Sequence, residues 1–420
     1  MRRILFSIIG LFIATTLINA ADPTATTYNN DECQGSLRPY PIPEQAYDYP
    51  DTLTPVFINH VGRHGSRFPA SATNCLTLQR ALIHADSIGS ITPLGKQLLA
   101  LTEFAIAQSN GRWGALDSLG MAEQRGIAAR MFSNYPMLLN SGEVKAISSY
   151  SPRCLMSMYS FTHQLSRMNN KLEITASSGR SYSYLVRPFD VDQEYIDFRK
   201  NKEAMKPYED YMQQTIPDAP LKRVLGNTYP YESIDVQSLA LVEYYVIAGM
   251  SAMQVQCNAS DYFTTDEYNR LWSCFNLRQY LQRTSTTVST IPADIASPLL
   301  LDIISATDDI ISKKSSLKAS LRFGHAETLM PLLSLMRLDG CYYKTNYFDT
   351  VAKNWRDFEV VPMSANLQII LFKSAKGDYY IRVDHNETPV ALIPNSAEIY
   401  IPWEKARGYL MRCIPIYYQP

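Results

Sequence analysis

The clearest structural signal in the sequence lies at residues 54–69, where Thr-Pro-Val-Phe-Ile-Asn-His-Val continues into Gly-Arg-His-Gly-Ser-Arg-Phe-Pro. The apolar first half predicts a β-strand, and the glycines and proline of the second half predict a turn after it. Ligand-binding loops of α/β folds collect at the carboxyl ends of strands. Arg63 and Arg67 flank His64, and planar arginine donors match the oxygens of a phosphate group. A solvated basic turn has the same composition, so this stretch alone leaves both interpretations open.

Two further junctions between a strand and a helix carry charged side chains. A predicted strand at 317–323 leads into His325-Ala326-Glu327, and one at 144–149 leads into Pro152 and Arg153. Because the carboxyl ends of neighbouring parallel strands meet at one edge of a sheet, we expect these side chains to converge with His64. Taken singly, Arg153 would be a surface helix residue and Glu327 a first-turn acid favoured by the helix dipole.

Alternation of strands and helices predicts an α/β fold, with a mostly parallel sheet and flanking helices. Residues 21–180 and 300–420 are assigned to this core. Residues 181–299 are rich in tyrosine, charge and helix formers, which predicts an inserted, mostly helical domain that caps the substrate pocket. The remaining predicted elements are strands at 172–176, 367–373 and 379–384, and helices within 76–139 and over 326–337.

Residues 63–69 resemble the RHGxRxP signature of the clade-2 histidine phosphatases, the histidine acid phosphatases and phytases. Most members of that family have His-Asp at a second site. Here His325-Ala326-Glu327 instead resembles the HAE motif of the multiple inositol polyphosphate phosphatases, with Ala326 in the usual acid position. Weaker similarities extend the resemblance over about residues 55–395. They are Leu116 to Gly120, in which Asp117 stands in place of a threonine, then Gln124, and then Asn386-Glu387 with Ile393-Pro394.

The resemblance implies a cofactor-independent phosphomonoesterase that hydrolyses inositol polyphosphates, phytate above all. It implies that His64 is the nucleophile and forms a phosphohistidine intermediate. Glu327 would protonate the leaving alkoxide and then activate water. The residues implied to bind the transferring phosphoryl group are Arg63, Arg67, Arg153 and His325. Two alternatives stay open: a general acid phosphatase for small monoesters, and a catalytically inactive phosphate-binding protein.

A substrate with many phosphates needs more cations than these, although the whole chain has a net charge of only −1. The densest basic run is 199–206, with four bases and one acid. We predict remote phosphate contacts from Arg187, Lys202 and Lys206, against the alternative that this run is a solvated helix face.

Composition sets the remaining expectations. With 420 residues, 46% hydrophobic and 19% charged, the chain suits a globular protein, and its charge gives no global reason to bind nucleic acid. The resemblance implies a small-molecule substrate, an inositol phosphate, as the partner, and the oligomeric state is left open. The sequence contains neither CxxC nor HExxH, so no metal site is expected. Of the seven cysteines, Cys257 and Cys274 form the best local candidate for a disulfide.

The first twenty residues are predicted to be a signal peptide. Arg2 and Arg3 precede an almost unbroken apolar run at 4–18, and Asn19-Ala20-Ala21 offers a cleavage site. This run is too short and wrongly flanked for a stable membrane span. We therefore expect a periplasmic or secreted protein.

Overall fold

A computed structural model describes residues 27–419. One sheet has the strand order β3-β2-β4-β1-β5-β6-β7, and β8 pairs with β6. The strands are β1 (Leu53–Arg63), β2 (Gly142–Ser148), β3 (Leu172–Ser178), β4 (Ala319–Gly324), β5 (Asn366–Ser374), β6 (Tyr379–His385), β7 (Thr388–Val390) and β8 (Ile401–Pro402).

Helices surround this sheet, and between β3 and β4 every regular element is helical. The α-helices are α1 (Thr73–Ser87), α2 (Pro93–Ser109), α3 (Ser118–Asn134), α4 (Pro152–Met168), α5 (Ser183–Val186), α6 (Gln193–Lys200), α7 (Lys202–Thr215), α8 (Ala219–Leu225), α9 (Val236–Ala248), α10 (Thr265–Arg283), α11 (Ile291–Asp294), α12 (Ser297–Ile311), α13 (Ala326–Leu335), α14 (Val351–Asn354), α15 (Asp357–Val360) and α16 (Trp403–Cys413).

The register of the parallel strands places three of their carboxyl ends side by side. Strands β3, β2, β4 and β1 run parallel, and Arg63 pairs with Gly324 while Ser148 pairs with Phe323. The loops after β1, β2 and β4 therefore leave the sheet at one edge. The predicted α/β fold with a mostly parallel sheet is confirmed. Strands β5 to β8 extend the sheet by antiparallel pairing, and β7 and β8 are too short to give a periodic signal in the sequence.

The sheet is buried on both faces because alternate residues of its central strands enter different hydrophobic clusters. Phe57 and Val61 of β1 pack with the cluster that includes α12, α13 and α16. Ile58 points the other way and packs with Phe161 of α4 and Phe323 of β4. Polar side chains inside the strands, such as Asn59 and Arg322, are buried as well.

A third hydrophobic cluster forms the core of a helical layer. It joins Leu78 of α1 and Leu98 of α2 to Leu221, Leu239 and Trp272 of α8, α9 and α10. The layer therefore includes helices from 73–109, which the sequence analysis assigned to the α/β core. The hydrophobic pattern identifies the buried face of a helix, but not the partner that covers it. The assignment of 181–299 as an inserted helical domain that caps the substrate pocket stays a prediction.

The buried carboxyl of Glu243 in α9 makes the stability of this layer depend on pH. Its carboxylate is fully buried, and neither oxygen has a hydrogen-bond partner in the part of the chain that the structure describes. Burial raises the pKa of this carboxyl from 4.5 to about 8, against an opposing effect of Arg223. The folded protein thus keeps a proton that the unfolded chain releases above about pH 4.5.

We therefore expect this carboxyl to contribute a loss of stability as the pH rises from about 5 to 8. Glu243→Gln should remove this dependence and gain roughly 1–4 kcal/mol relative to the wild type across that range. The measurement is Tm against pH for both proteins, with the exposed Glu232→Gln as matched control. Parallel curves for Glu243→Gln and the wild type would show that the carboxyl is not the cause.

The structure tests the predicted disulfide but does not describe the predicted signal peptide. All seven cysteines are free thiols, so the predicted disulfide between Cys257 and Cys274 is wrong. Cys274 is buried inside α10, whereas Cys257 lies in a loop. No helix within 27–419 is long and apolar enough to cross a bilayer. The predicted signal peptide, residues 1–20, lies outside the described residues.

Candidate active site

A cavity of about 260 Å³ lies where β1, β2 and β4 end. Its floor contains His64, and its wall contains one carboxylate, that of Glu327. Six arginines line it: Arg63, Arg67, Arg153, Arg199, Arg278 and Arg283. Such a concentration of guanidiniums around one imidazole suits a group with several negative oxygens.

His64 is buried with its ring oriented by the backbone. Its Nδ1 lies 3.0 Å from the carbonyl oxygen of Gly65, which can only accept, so Nδ1 carries the proton and Nε2 keeps a lone pair. Burial lowers the pKa of His64 well below its usual value, and the guanidiniums of Arg153 and Arg63 lower it further. The ring is therefore neutral, and its Nε2 is available as a nucleophile at neutral pH.

The loop that holds His64 packs directly on the start of α3. A Cβ on Gly65 would lie 2.5 Å from the carbonyl oxygen of Gly120, so only glycine allows the two backbones to approach this closely. Asp117 caps α3 by accepting from the Gly120 backbone N–H at 3.0 Å. Aspartate and threonine both serve as N-caps, which explains how Asp117 replaces the family's threonine.

Side chains of α3 then hold this loop in place. Glu123 accepts from the backbone N–H and the hydroxyl of Ser66 at 2.8 and 2.6 Å. Gln124 donates to the carbonyl oxygen of Arg63 at 2.9 Å. The loop is thus fixed before any ligand arrives, which is the condition for electrostatic stabilisation without reorganisation.

His325 stands next to His64, with ring centroids 5.6 Å apart. Its Nδ1 lies 3.3 Å from Nη2 of Arg153, and its Nε2 lies 3.0 Å from Oγ of Ser149 and 2.9 Å from Nη1 of Arg187. Burial, followed by the charge of Arg153, lowers the pKa of His325 well below its usual value, so this ring is neutral too. Because a neutral imidazole has one acceptor nitrogen, it hydrogen bonds to only one of the two guanidiniums.

Arg63, Arg67 and Arg153, which were predicted to bind phosphate, line the cavity and have unused hydrogen-bond donors. Arg63 donates through Nη1 to the carbonyl oxygens of Ser36 and Val361 at 2.6 and 2.5 Å. Arg67 donates to Phe68 O at 2.9 Å. Within 27–419 the buried Nε atoms of Arg63, Arg67 and Arg153 have no hydrogen-bond partner. Unsatisfied buried donors are costly, so these three guanidiniums keep unused hydrogen-bonding capacity at a cost in stability.

Glu327 lies in the first turn of α13 and is paired with Arg283. Oε1 of Glu327 is 3.0 Å from Nη2 of Arg283. Burial raises the pKa of the Glu327 carboxyl, but the charge and hydrogen bond of the Arg283 guanidinium outweigh burial and hold this pKa below its usual range. The carboxylate is therefore ionised in the ligand-free site.

The three residues predicted as remote phosphate contacts lie in different surroundings. Arg187 reaches His325, and its guanidinium forms an ion pair with Asp190. Lys202 and Lys206 are exposed on α7 and are not among the residues that line the cavity. The apolar residues of α7, among them Met205 and Tyr208, face the protein, which turns the lysines to solvent.

The sequence analysis did not predict the arginines of α6 and α10 that line the cavity. Arg278 and Arg283 belong to α10, and Arg199 belongs to α6 within the basic run that we singled out. No short motif marks them. A usable signal is the polar stripe of residues 278, 279, 282 and 283 on a helix whose intervening residues are buried.

Comparison with known proteins agrees with this geometry. Residues 56–386 match the Histidine phosphatase superfamily (branch 2). Multiple inositol polyphosphate phosphatase 1 of Homo sapiens is 25% identical over 385 residues, which is 83% of this chain and 78% of the human protein. The protein of the same name from Gallus gallus is 24% identical over 393 residues, 86% of this chain and 82% of the relative.

Solved structures share the fold at lower identity. The multiple inositol polyphosphate phosphatase of Bifidobacterium longum, in complex with inositol hexasulfate, superposes with a TM-score of 0.74 at 17% identity, over 92% of this chain and 99% of that one. The phytase from D. castellii gives 0.68 at 16% identity, over 92% and 86%. The chain therefore belongs to the histidine phosphatase superfamily (branch 2), and it is a phosphomonoester hydrolase.

Proposed function

We propose that this protein hydrolyses inositol polyphosphates, phytate above all, through a phosphohistidine on His64. The observation that carries the proposal is the cavity in which a neutral imidazole with a free Nε2 faces six guanidiniums and one carboxylate. Two relatives are named multiple inositol polyphosphate phosphatase 1, and this name supports the same substrate class.

In the first half of the reaction, Nε2 of His64 attacks phosphorus and the bond from phosphorus to the leaving oxygen breaks. Arg63, Arg67 and Arg153 bind the equatorial oxygens, whose charge they stabilise in the transition state. The leaving alkoxide takes a proton from Glu327. An inositol alkoxide is a poor leaving group, so this proton transfer contributes on the order of 10²–10⁴-fold.

In the second half, water attacks the phosphohistidine. The Glu327 carboxylate, now deprotonated, accepts a proton from this water, and the bond from phosphorus to Nε2 breaks. Inorganic phosphate leaves, His64 is a neutral imidazole again, and Glu327 again carries the proton that it held before the first half-reaction, which it returns to solvent when the site empties. Splitting the displacement in this way replaces one difficult step by two easier ones.

The preference for a polyphosphate rests on the cations beyond the reacting phosphate. Arg199 and Arg278 line the same cavity, and neither forms a salt bridge with any residue of 27–419. Free guanidiniums at the rim suit further phosphates on the same ring. A small monoester would leave them unused.

The experiment that tests the substrate class is product analysis by inositol phosphate chromatography, with glycerol phosphate turnover measured alongside. We expect stepwise release of phosphate from inositol hexakisphosphate and a higher kcat/KM for it than for glycerol phosphate. A higher kcat/KM for glycerol phosphate would favour the general acid phosphatase. Binding of both without turnover would favour an inactive phosphate-binding protein.

Arg278→Ala tests the remote contacts. Loss of one charged hydrogen bond should lower kcat/KM for inositol hexakisphosphate by about 10- to 100-fold, and for glycerol phosphate by less than about 3-fold. Lys206→Ala is the matched control, because this exposed lysine lies outside the cavity and should leave both substrates unaffected. If Arg278→Ala lowers both values equally, Arg278 is not a remote contact.

Export stays part of this proposal. Its support is the charged, apolar and small-residue pattern of residues 1–20, and its test is the N-terminal sequence of the mature protein. A mature chain that begins at or near Ala21 would support export. A mature chain that begins at Met1 or Arg2 would overturn it.

A further inference from the structure

Arg283 is the last residue of α10, and the three nitrogens of its guanidinium have different surroundings. Its Nη2 pairs with Oε1 of Glu327 at 3.0 Å, and Nη1 contacts Oε1 of both Gln279 and Gln282. The Nε is buried and has no hydrogen-bond partner in the described part of the chain. The side chain is 13% exposed and lines the cavity. Arg283 therefore lines the cavity with one donor uncommitted.

The pair with Arg283 leaves Glu327 in the wrong state for its first task. A carboxylate that is ionised in the empty site has no proton to donate to a leaving alkoxide. Within 27–419, Arg283 is the only arginine or lysine within salt-bridge distance of Glu327. A ligand that competes for this guanidinium would therefore act directly on the protonation of the carboxylate.

We propose that Arg283 is shared between Glu327 and a second phosphate group of the substrate, so that a polyphosphate, unlike a simple monoester, frees Glu327 to take up the proton that it later donates. The proton comes from solvent, and the carboxylate becomes a carboxylic acid before the bond to the leaving oxygen breaks. Arg283 is in this sense a positioning residue that determines specificity through kcat. The inference rests on the proposed role of Glu327 as the acid.

The other groups around Glu327 do not offer the same coupling. His64 and His325 are neutral, and the buried Cys154 lies behind His325, 3.4 Å from its Nε2. No second carboxylate lines the cavity. The remaining charged groups that face the cavity are Arg63, Arg67, Arg153, Arg199 and Arg278. These attract the substrate, but none is paired with Glu327 in the ligand-free site.

The test is the pH dependence of kcat with inositol hexakisphosphate and with glycerol phosphate. An acid must be protonated, so kcat falls as the pH rises through the pKa of Glu327 in the complex. In the wild type, this alkaline limb should lie at lower pH for glycerol phosphate than for the polyphosphate, by about one pH unit or more. Arg283→Gln should move the limb for glycerol phosphate to higher pH by a similar amount and close the gap.

Three controls separate this coupling from a structural effect. Arg283→Lys keeps the charge and should keep the gap between the substrates. Arg278→Gln removes a cavity cation that is not paired with Glu327 and should leave both limbs in place. With p-nitrophenyl phosphate, whose leaving group needs no acid, Arg283→Gln should shift no alkaline limb.

The outcomes also separate this inference from the proposed function. Coincident limbs for the two substrates in the wild type would overturn the inference, as would an unmoved limb in Arg283→Gln. If Glu327→Gln slows alkyl and aryl phosphates equally, the acid itself is wrongly assigned. Should Arg283→Gln not fold, as judged by circular dichroism, the wild-type comparison of the two substrates still decides the matter.

Discussion

His64→Ala should lower kcat/KM for inositol hexakisphosphate by about 10⁴-fold or more, because it removes the only atom proposed to attack phosphorus. The substitution leaves the guanidiniums in place, so binding should persist. The expected signature is therefore a loss of kcat with a dissociation constant within about 10-fold of the wild type.

The matched control is His84→Ala. His84 lies in α1, where its Nδ1 is 3.3 Å from the Tyr229 hydroxyl, and it does not line the cavity. Its replacement should leave kcat close to the wild-type value. Phosphate release at more than about 1% of the wild-type rate by His64→Ala would mean that water or another residue attacks phosphorus directly.

Glu327→Gln should have the second largest effect, and the effect should depend on the leaving group. Glutamine fills the same volume but cannot donate a proton to an alkoxide. We expect kcat for alkyl phosphates, inositol phosphates included, to fall by roughly 10²–10⁴-fold. For aryl phosphates, whose phenolates leave without a proton, the first half-reaction should lose less than about 10-fold.

The measurement is the burst of aryl product in rapid mixing, since this burst reports the first half-reaction alone. Later turnover also slows in Glu327→Gln, because the same carboxylate activates water in the second half-reaction. A large burst with slow turnover is therefore the expected pattern. Equal loss of the burst and of alkyl turnover would argue that Glu327 only binds substrate.

The parts of the site that the sequence predicts best are those that follow the ends of strands. His64 and Arg67 lie in one short segment, and a single strand direction fixes where that segment leaves the sheet. His325 and Arg153 follow adjacent strands of the same parallel set, so the topology brings them together. Local sequence and sheet topology were enough for these positions.

The cations from the helical layer could not be placed in this way. Arg278 and Arg283 reach the cavity only because α10 packs against α7, α9 and α13, and these contacts join segments that are distant in sequence. Lys202 and Lys206 belong to a basic run of the expected kind, but the apolar face of α7 turns them outward. Composition identifies such a run without determining which way its helix is rotated.

The most direct measurement is to trap the covalent intermediate. Enzyme mixed with ³²P-labelled substrate is quenched in alkali within milliseconds, digested, and the labelled peptide is identified by mass spectrometry. We expect one phosphoryl group on Nε2 of His64 in the wild type and none in His64→Ala. Label on any other residue, or full turnover without a labelled protein at any time point, would contradict attack by this imidazole.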